Sequence, residues 1–294
     1  MELRDLRYFA VVAEHENIGR AAEALHLSAT ALGKSLRRLE KSVGAKLAQR
    51  ASKGIALTAV GTALLRRIGP LQGMLNDVRH EAADLAQGRA GHINVGVSPG
   101  APENSIADAC VSLSKESRSI TLTISAADTS VLSKWLRRGE IDFCVAGPRL
   151  YSSVEFVREH LYDDPFVVFA SANHRFARRK RLSIADLEGE RWVSLSNPQR
   201  QTAFRIFGAN GVPLPVIALD TSSPAVRLCA VAYSDYLGLI SRQLLRQECR
   251  RYPLVELRVK EFTLASSMSI IYRTGAYLSP AAKRLIAMLK AQAR

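Results

Sequence analysis

Eight apolar positions, Val60, Leu64, Ile68, Leu71, Leu75, Val78, Ala82 and Leu85, follow one another at steps of four, four, three, four, three, four and three. Such steps keep side chains on one helical face. One narrow stripe held over that length is a coiled-coil seam, with Leu64, Ile68, Leu71, Leu75 and Val78 as its dimerising positions. A helix of roughly thirty residues reaches about 45 Å, more than a compact domain needs internally. Its natural use is to pair with a second copy of itself; the alternative is a long helix lying on its own chain. Pro70 cannot donate to the helical ladder, so a kink or break is expected near "RIGPLQG", where Gly69 and Gly73 loosen the same turn. The seam divides a chain of 294 residues, longer than one core usually serves, into a short first part and a long second one.

Ahead of the seam, Leu3, Leu6, Phe9, Ala10 and Ala13 form a helical stripe that ends near "HEN", where Asn17 is placed to cap a second helix. That helix, "IGRAAEALH", buries Ile18, Ala21, Ala22 and Leu25, and its small alanines let another helix approach. After a short turn Ser28 can cap a third helix, "ATALGKSLRRLEKSV". Leu32, Leu36, Leu39 and Val43 give that helix a core face, and Thr30, Lys34, Arg37 and Lys41 lie roughly 200° away on an opposite, basic one. Helix, short turn, helix is the shape whose second helix enters the major groove of DNA. Gly44 should stop it, and "VGAKLAQRASKGIALT" reads as a two-stranded wing with Arg50 and Lys53 near its tip, suited to phosphate contact. The candidate DNA-binding residues are Ser28, Thr30, Lys34, Arg37, Arg38, Arg50 and Lys53.

Residues 17–61, "NIGRAAEALHLSATALGKSLRRLEKSVGAKLAQRASKGIALTAVG", resemble the DNA-binding segment of LysR-type transcriptional regulators. The likeness lies in the paired alanines before Leu-His, the Ser opening the next helix, "LRRLE", "VGAKL" and the closing "LTxxG". Three positions depart from the family pattern. Ala29 stands where the family has Gln, Gly33 where it has Ser or Thr, and Ala48 where it has Phe. The missing Gln takes away an adenine-reading side chain, which leaves Thr30, Lys34 and Arg37 as base readers; Lys or Arg to guanine is the commonest specific contact.

Beyond a hinge at "QGRAGH", the order "HINVGVS", "PENSIADACVSLSKES", "ITLTISA", "VLSKWLRRGE", "IDFCVAG" alternates strand and helix, the signature of parallel βαβ units. A second group runs through "DDPFVVFAS", "LSIADLEGERWVSLS", "PVIALD", "AVRLCAVAYSDYLGLIS" and "SSMSIIYR", with Ser183 and Asp186 as a capping pair. Ligands of such sheets sit at the carboxyl ends of strands, at Ser98 to Gly100, Asp128 to Ser130 and the loop from Gly147. The arrangement resembles the effector-binding domain of the same family, itself similar to periplasmic binding proteins. By that resemblance the effector-binding residues are Ser98, Thr129, Ser196, Asn197 and Ser223: hydroxyls and an amide that can hold an oxyanion with the help of backbone N–H groups. Ser234, Tyr236 and Ser241 depart from the family's glycines and proline, and Tyr236 would reshape its lobe.

The expected architecture is therefore multidomain, α followed by α/β. A winged helix-turn-helix occupies 1–58 and a linker and dimerisation helix with hinge 59–92. Two α/β lobes fill 93–294, lobe one at 93–161 and 269–294, lobe two at 162–268.

Lys and Arg number 41 against 27 Asp and Glu, a net charge of +14 that favours polyanions as partners. The excess is not concentrated near the third helix: residues 1–92 hold 14 basic and 9 acidic residues, residues 93–294 hold 27 and 18. The run "RRKR", Arg178 to Arg181, reads as a solvated loop. Cys110, Cys144, Cys229 and Cys249 match no metal or redox spacing and are expected as reduced thiols, and no histidine spacing calls for a metal. No cofactor is called for. The N-terminus does not read as a signal peptide and no apolar run would span a bilayer, so a cytoplasmic protein without a membrane partner is expected.

"GVSPG" fits the nucleophile elbow of hydrolases, but Pro99 lacks the N–H needed for an oxyanion hole and the last histidine is His174, so an enzyme is not expected. An exported solute-binding protein would need a leader, and a DNA-coating protein would leave the two lobes without a role. The expected function is sequence-specific transcriptional regulation under a small anionic effector held between the lobes. Its partners would be a pseudo-palindromic double-stranded operator, a second copy as homodimer or homotetramer, and RNA polymerase.

Overall fold

The computed structural model describes residues 1–51, 54–87, 91–98, 100–101, 103–147, 154–194, 197–262 and 266–293. The chain folds into two compact units, Met1–Ala83 with Lys134–Glu140, and Asp84–Ser133 with Ile141–Arg294.

The first unit opens with three helices, α1 (Leu3–His15), α2 (Ile18–Ala24) and α3 (Ala29–Val43), followed by the antiparallel pair β1 (Ala48–Ala51) and β2 (Gly54–Leu57). Each predicted cap is in place. The Asn17 side chain accepts from Arg20 N at 3.1 Å and the Ser28 hydroxyl from Ala31 N at 3.1 Å. Gly44 ends α3 at φ 76°, a left-handed conformation that a side chain disfavours, with its N–H on the Glu40 carbonyl. Leu6, Phe9, Ala10, Leu39 and Leu47 form one buried cluster, and Val12, Ala21, Ala22 and Leu32 a second.

The long helix α4 (Ala59–Gln87) starts directly behind the wing, where the Thr58 hydroxyl donates to the Lys46 carbonyl at 2.6 Å and accepts from Gly61 N at 3.0 Å. A Cβ on Gly61 would lie 2.0 Å from the Leu47 carbonyl oxygen, so the closing glycine of "LTxxG" is required by close backbone approach. Of the expected kink or break at Pro70, the break does not occur: Pro70 lies inside a helix that continues to Gln87. The expected seam is corrected in its first half. Ile68 is 1% exposed and belongs to the cluster of Leu6, Phe9 and Leu39, so it serves its own chain's core, while Leu64 packs against that cluster and stays half-buried. Further along, Leu71, Met74, Val78 and Leu85 are exposed, Val78 to 64% and Leu85 to 80%.

The second unit contains two five-stranded sheets. One, in the order β4-β3-β5-β12-β6, is built from β3 (His92–Val97), β4 (Thr121–Ala126), β5 (Phe143–Ala146), β6 (Phe156–Asp163) and β12 (Ser267–Arg273). The other, in the order β11-β7-β10-β8-β9, is built from β7 (Phe166–Ser171), β8 (Arg191–Ser194), β9 (Val216–Asp220), β10 (Leu237–Ser241) and β11 (Leu254–Leu257). The helices α5 (Glu103–Glu116), α6 (Thr129–Arg138) and α10 (Pro280–Gln292) accompany the first sheet in the chain; α7 (Asn197–Ala209), α8 (Pro224–Ala232) and α9 (Arg242–Glu248) accompany the second. Ser183, ahead of a short helical turn at Ile184–Leu187, donates its N–H and its hydroxyl to Asp186 Oδ2 at 2.8 and 2.9 Å, as the sequence predicted.

The chain passes from one sheet to the other twice, and the two passages run side by side. Asp163 pairs with Ser267, and Asp164 N donates to the Ser266 carbonyl at 2.8 Å. Strand directions follow from that crossing. β6 runs into it and is antiparallel to β12, which is antiparallel to β5, so β3, β4 and β5 also run toward it. β7 leaves the crossing, β10 is antiparallel to β7, and β8 and β9 are parallel to β10, so these three run toward it as well. The carboxyl ends of the parallel strands of both sheets therefore face the crossing, where α/β sheets place their ligands.

Candidate nucleic-acid interface and effector site

Helix α3 separates its two stripes as the spacing required. Leu32 and Leu39 are buried, whereas Thr30, Lys34, Arg37 and Lys41 are all exposed. The exposed face also carries Ala29 and Ala31, so the amino-terminal turn is narrow and can approach a base edge closely. Arg37 bends back, with Nε on the Gly33 carbonyl at 3.3 Å. At the wing, Arg50 is exposed on β1; Lys53 lies outside the described residues.

Two of the seven predicted DNA-binding residues take other work. Ser28 spends its hydroxyl oxygen on the α3 cap and keeps its proton for donation. Arg38, whose side chain stays 48% exposed, also holds Asp5 of α1, with Nε 2.7 Å from Oδ2 and a second bond from Nη2 to Oδ1. Ser35 adds a hydroxyl bond to the same carboxylate at 2.5 Å. Asp5 is 1% exposed, and the Arg38 bonds, with Ser35, hold its carboxyl below the ordinary range against the opposing effect of burial. This is a forked ion pair that fixes α3 on α1, the geometry for which arginine rather than lysine is suited. Glu40 acts similarly at the other end of α3. Burial alone would raise its pKa, but Lys46 at 2.7 Å and the Leu47 N–H at 3.0 Å lower it, and they anchor the wing.

The predicted effector residues lie behind parallel strands. Ser98 follows β3, is 6% exposed and donates its N–H to the Val145 carbonyl at 3.0 Å. Thr129 opens α6 after β4, and its carbonyl accepts from the Ser133 hydroxyl. Asn197 opens α7 after β8, and Ser223 follows β9, its hydroxyl capping α8 through Val226 N at 3.3 Å. Ser196 lies outside the described residues. The four described positions come from both sheets and stand at the strand ends that face the crossing.

A cavity of about 400 Å³ also lies at the crossing, lined by Tyr162, Asp164, Arg242, Gln243 and Leu289 among others, and Ser98, Thr129 and Ser223 are not among its described lining. Sequence reasoning offered no sign of it, because its walls come from distant segments that carry no motif.

The departures from the family pattern are absorbed locally. Tyr236 packs against the core of the second sheet with the Arg191 guanidinium 4.9 Å from its ring centre, and Ser241 caps α9 through Leu244 N at 3.4 Å. Among the described residues no group of three or more His, Cys, Asp or Glu side chains could hold a metal, and no helix is long and apolar enough to cross a membrane.

Comparison with known proteins agrees with this architecture at both ends. The profile described as "Bacterial regulatory helix-turn-helix protein, lysR family" matches residues 3–62, and that described as "LysR substrate binding domain" matches residues 86–294. The RuBisCO operon transcriptional regulator of Allochromatium vinosum is 29% identical over 287 residues, covering 96% of this chain and 93% of that protein. The crystal structure of CbnR, a LysR family transcriptional regulator, superposes over the full length of both chains with a TM-score of 0.61 at 19% identity, and that of full-length CbnR complexed with its target DNA with 0.54 at 19%. The Synechocystis CcmR regulatory domain in complex with 2-PG covers 69% of this chain and 97% of that domain, with a TM-score of 0.62 at 18% identity. At those identities the likeness is one of fold, whereas the two profiles together take in nearly every residue, and the chain belongs to the LysR family of DNA-binding transcriptional regulators.

Proposed function

We propose that this chain is a dimeric regulator that reads a pseudo-palindromic operator with α3 and answers to a small anionic effector held at the strand ends facing the crossing. The observation that carries the reading is the division of α3, in which two leucines are buried while Thr30, Lys34, Arg37 and Lys41 stand clear on the opposite face. Thr30, Lys34 and Arg37 are the base readers in this proposal, and Ser28, Arg50 and Lys53 contact phosphate. Pairing falls to the second half of α4, through Leu71, Leu75 and Val78, where exposed apolar groups lie along one helix. Two-fold symmetry in the protein then matches two-fold symmetry in the operator. Domain limits at residues 58 and 92 and a boundary between lobes near 161 and 268 belong to the same reading.

Ser98, Thr129, Ser196, Asn197 and Ser223 hold the effector through hydroxyl, amide and backbone N–H groups, which bind an oxyanion without a charged side chain. The 2-PG complex of the structurally similar CcmR domain supports an anion of this kind. The effector acts by binding one lobe arrangement more tightly than the other.

Binding of the full-length protein to its own upstream region and to random duplex, compared at physiological salt, tests the central claim. A preference for the upstream region that Arg37→Ala and Lys34→Ala each weaken, with thermal melting unchanged, is the expected result. Equal affinity for both duplexes, or variants indistinguishable from the parent, removes α3 from the role.

A further inference from the structure

Gly69 and Gly73 stand one turn apart inside the unbroken helix α4, where glycine is destabilising. The end of α6 accounts for both. Residues Lys134–Glu140 group with Met1–Ala83 in the first compact unit, whereas residues 129–133 belong to the second, so α6 has one end in each.

The contact within the first unit is specific. Gly73 is buried, although Leu71 and Met74 beside it are exposed. Gly139 follows α6 at φ 63°, and a Cβ built on it would lie 3.1 Å from Gly73 Cα and 3.3 Å from the Gly73 carbonyl oxygen. A Cβ on Gly69 would touch Arg137 Cβ at 3.6 Å. At the end of α6 the Gly139 N–H donates to the Leu136 carbonyl at 3.1 Å and the Glu140 N–H to the Trp135 carbonyl at 2.9 Å. That pattern closes a helix around a left-handed glycine and leaves the carbonyls that follow without an intrahelical donor. Asn76 of α4 supplies one: its Nδ2 donates to the carbonyls of Arg138 and Gly139 at 2.9 and 3.4 Å. Arg138 Nη2 meets Glu14 Oε2 of α1 at 3.1 Å, which extends the contact to the three-helix domain.

The other end of α6 is Thr129, about 15 Å away along the helix axis. Between the two ends, Leu132 is fully buried, and a Cβ on Gly96 of β3 would lie 2.6 Å from its Cδ2, so the helix is seated closely on its sheet. A closely packed helix passes on a displacement rather than absorbing it. Side-chain bonds to carbonyls and a partly exposed ion pair each contribute little, so engagement of the α6 end lies within the range that a ligand's differential affinity can shift. We propose that the end of α6 is a latch on α4 and α1, and that its engagement is coupled through the helix to the state of the Thr129 end. The regulatory consequence rests on the assignment of Thr129 to the effector: effector binding then biases the latch on the DNA-reading unit, and the latch biases effector affinity by the same factor.

Hydrogen exchange of the full-length protein, read by mass spectrometry, tests the coupling with neither effector nor operator present. Gly73→Leu places a side chain in the latch from the α4 side, at a helical position where no left-handed strain is involved. It should speed exchange of the Val131, Leu132 and Ser133 amides, in the first turn of α6, by about three- to tenfold. Asn76→Ala, which removes only the two side-chain bonds, should act in the same direction and less strongly. Peptides of α5 in both variants, and of α6 in a protein carrying Arg79→Ala on the exposed side of α4, should stay within about twofold of the parent. Faster exchange confined to residues 137–140 would mean that the latch opens without reaching the Thr129 end, and would overturn the coupling. Unchanged exchange throughout α6 in both variants would overturn the latch itself. Equal acceleration in α5 and α6 would reduce the effect to general loosening and overturn it as well. If the first turn responds while Thr129→Ala leaves the effector dose response unaltered, the coupling holds and it is the effector assignment that fails.

Discussion

The two halves of α4 carry the same apolar stripe and meet different fates. From Leu64 to Ile68 the stripe meets α1, α3 and the wing, while further along Leu71, Val78 and Leu85 are exposed in the single chain and Leu75 is half-buried. Periodicity identifies a face that requires covering, and what covers it depends on which elements lie within reach. The first half has a three-helix domain immediately beside it, held by Thr58 and Gly61. The second half has moved beyond that domain, since a helix advances about 1.5 Å per residue.

Paired substitutions sharpen this contrast, and they carry the largest expected effect. Ile68→Ala should cost about 2–5 kcal/mol of unfolding free energy, because it leaves a cavity in a closed core. Val78→Asp should leave urea unfolding of the monomer within about 0.5 kcal/mol, since that side chain is exposed in the single chain. The same variant should shift sedimentation from dimer to monomer. A Val78→Asp protein that remains dimeric would end the division of the seam.

Arg37 and Arg38 repeat the contrast between adjacent residues. Arg37 projects from the exposed face, while Arg38 is committed to the carboxylate of Asp5. Arg37→Ala should cost about 1–3 kcal/mol in operator discrimination and nothing in stability, measured by competition against random duplex and by thermal melting. Arg38→Ala should lower the melting temperature, because Asp5 is then left buried with only Ser35 as a partner. If the two variants behave alike in both measurements, α3 has no division of labour.

The Asp5 cluster also sets a pH dependence. Its carboxyl has a folded pKa below the ordinary value of 3.8, chiefly through the Arg38 bonds. The stability it contributes is therefore complete above that ordinary value and is lost as pH falls through the lowered one. Urea midpoints measured downward from about pH 5 should fall less steeply in Asp5→Asn than in the parent. Parallel slopes would show that the pair does not stabilise the fold.

How much was legible in the sequence follows the range of the interactions involved. The caps at Asn17, Ser28 and Gly44 were legible because each is satisfied within three or four residues. The alternation from β3 to β5 was legible because short runs of apolar and β-branched residues lie between amphipathic helices, even though β4, at the sheet edge, is mostly exposed. β6, "FVREHLYD", gave no such sign: it is an edge strand whose side chains alternate between half-buried and exposed over most of its length. Arg38 looked like its neighbour because its partner is 33 residues away, and nothing in the local spacing reports so distant a carboxylate.

The smallest expected effect lies in the second unit, where the candidate effector residues are dispersed over strand ends rather than joined in one motif. Thr129 is one of several neutral groups proposed to hold an anion, so Thr129→Ala removes one hydroxyl and leaves the backbone N–H groups in place. A neutral hydrogen bond contributes about 0.5–1.5 kcal/mol, so the effector concentration for half-maximal response should rise about three- to tenfold. DNA binding without effector should be unchanged. The readout is the effector-dependent change in the operator footprint, with small organic acids screened first on the parent protein. An unaltered dose response in Thr129→Ala would take that residue out of the cleft. In that case the α6 start carries only its helix, and the contrast between a localised reading face on α3 and a dispersed binding site at the crossing would have to be redrawn around other strand ends.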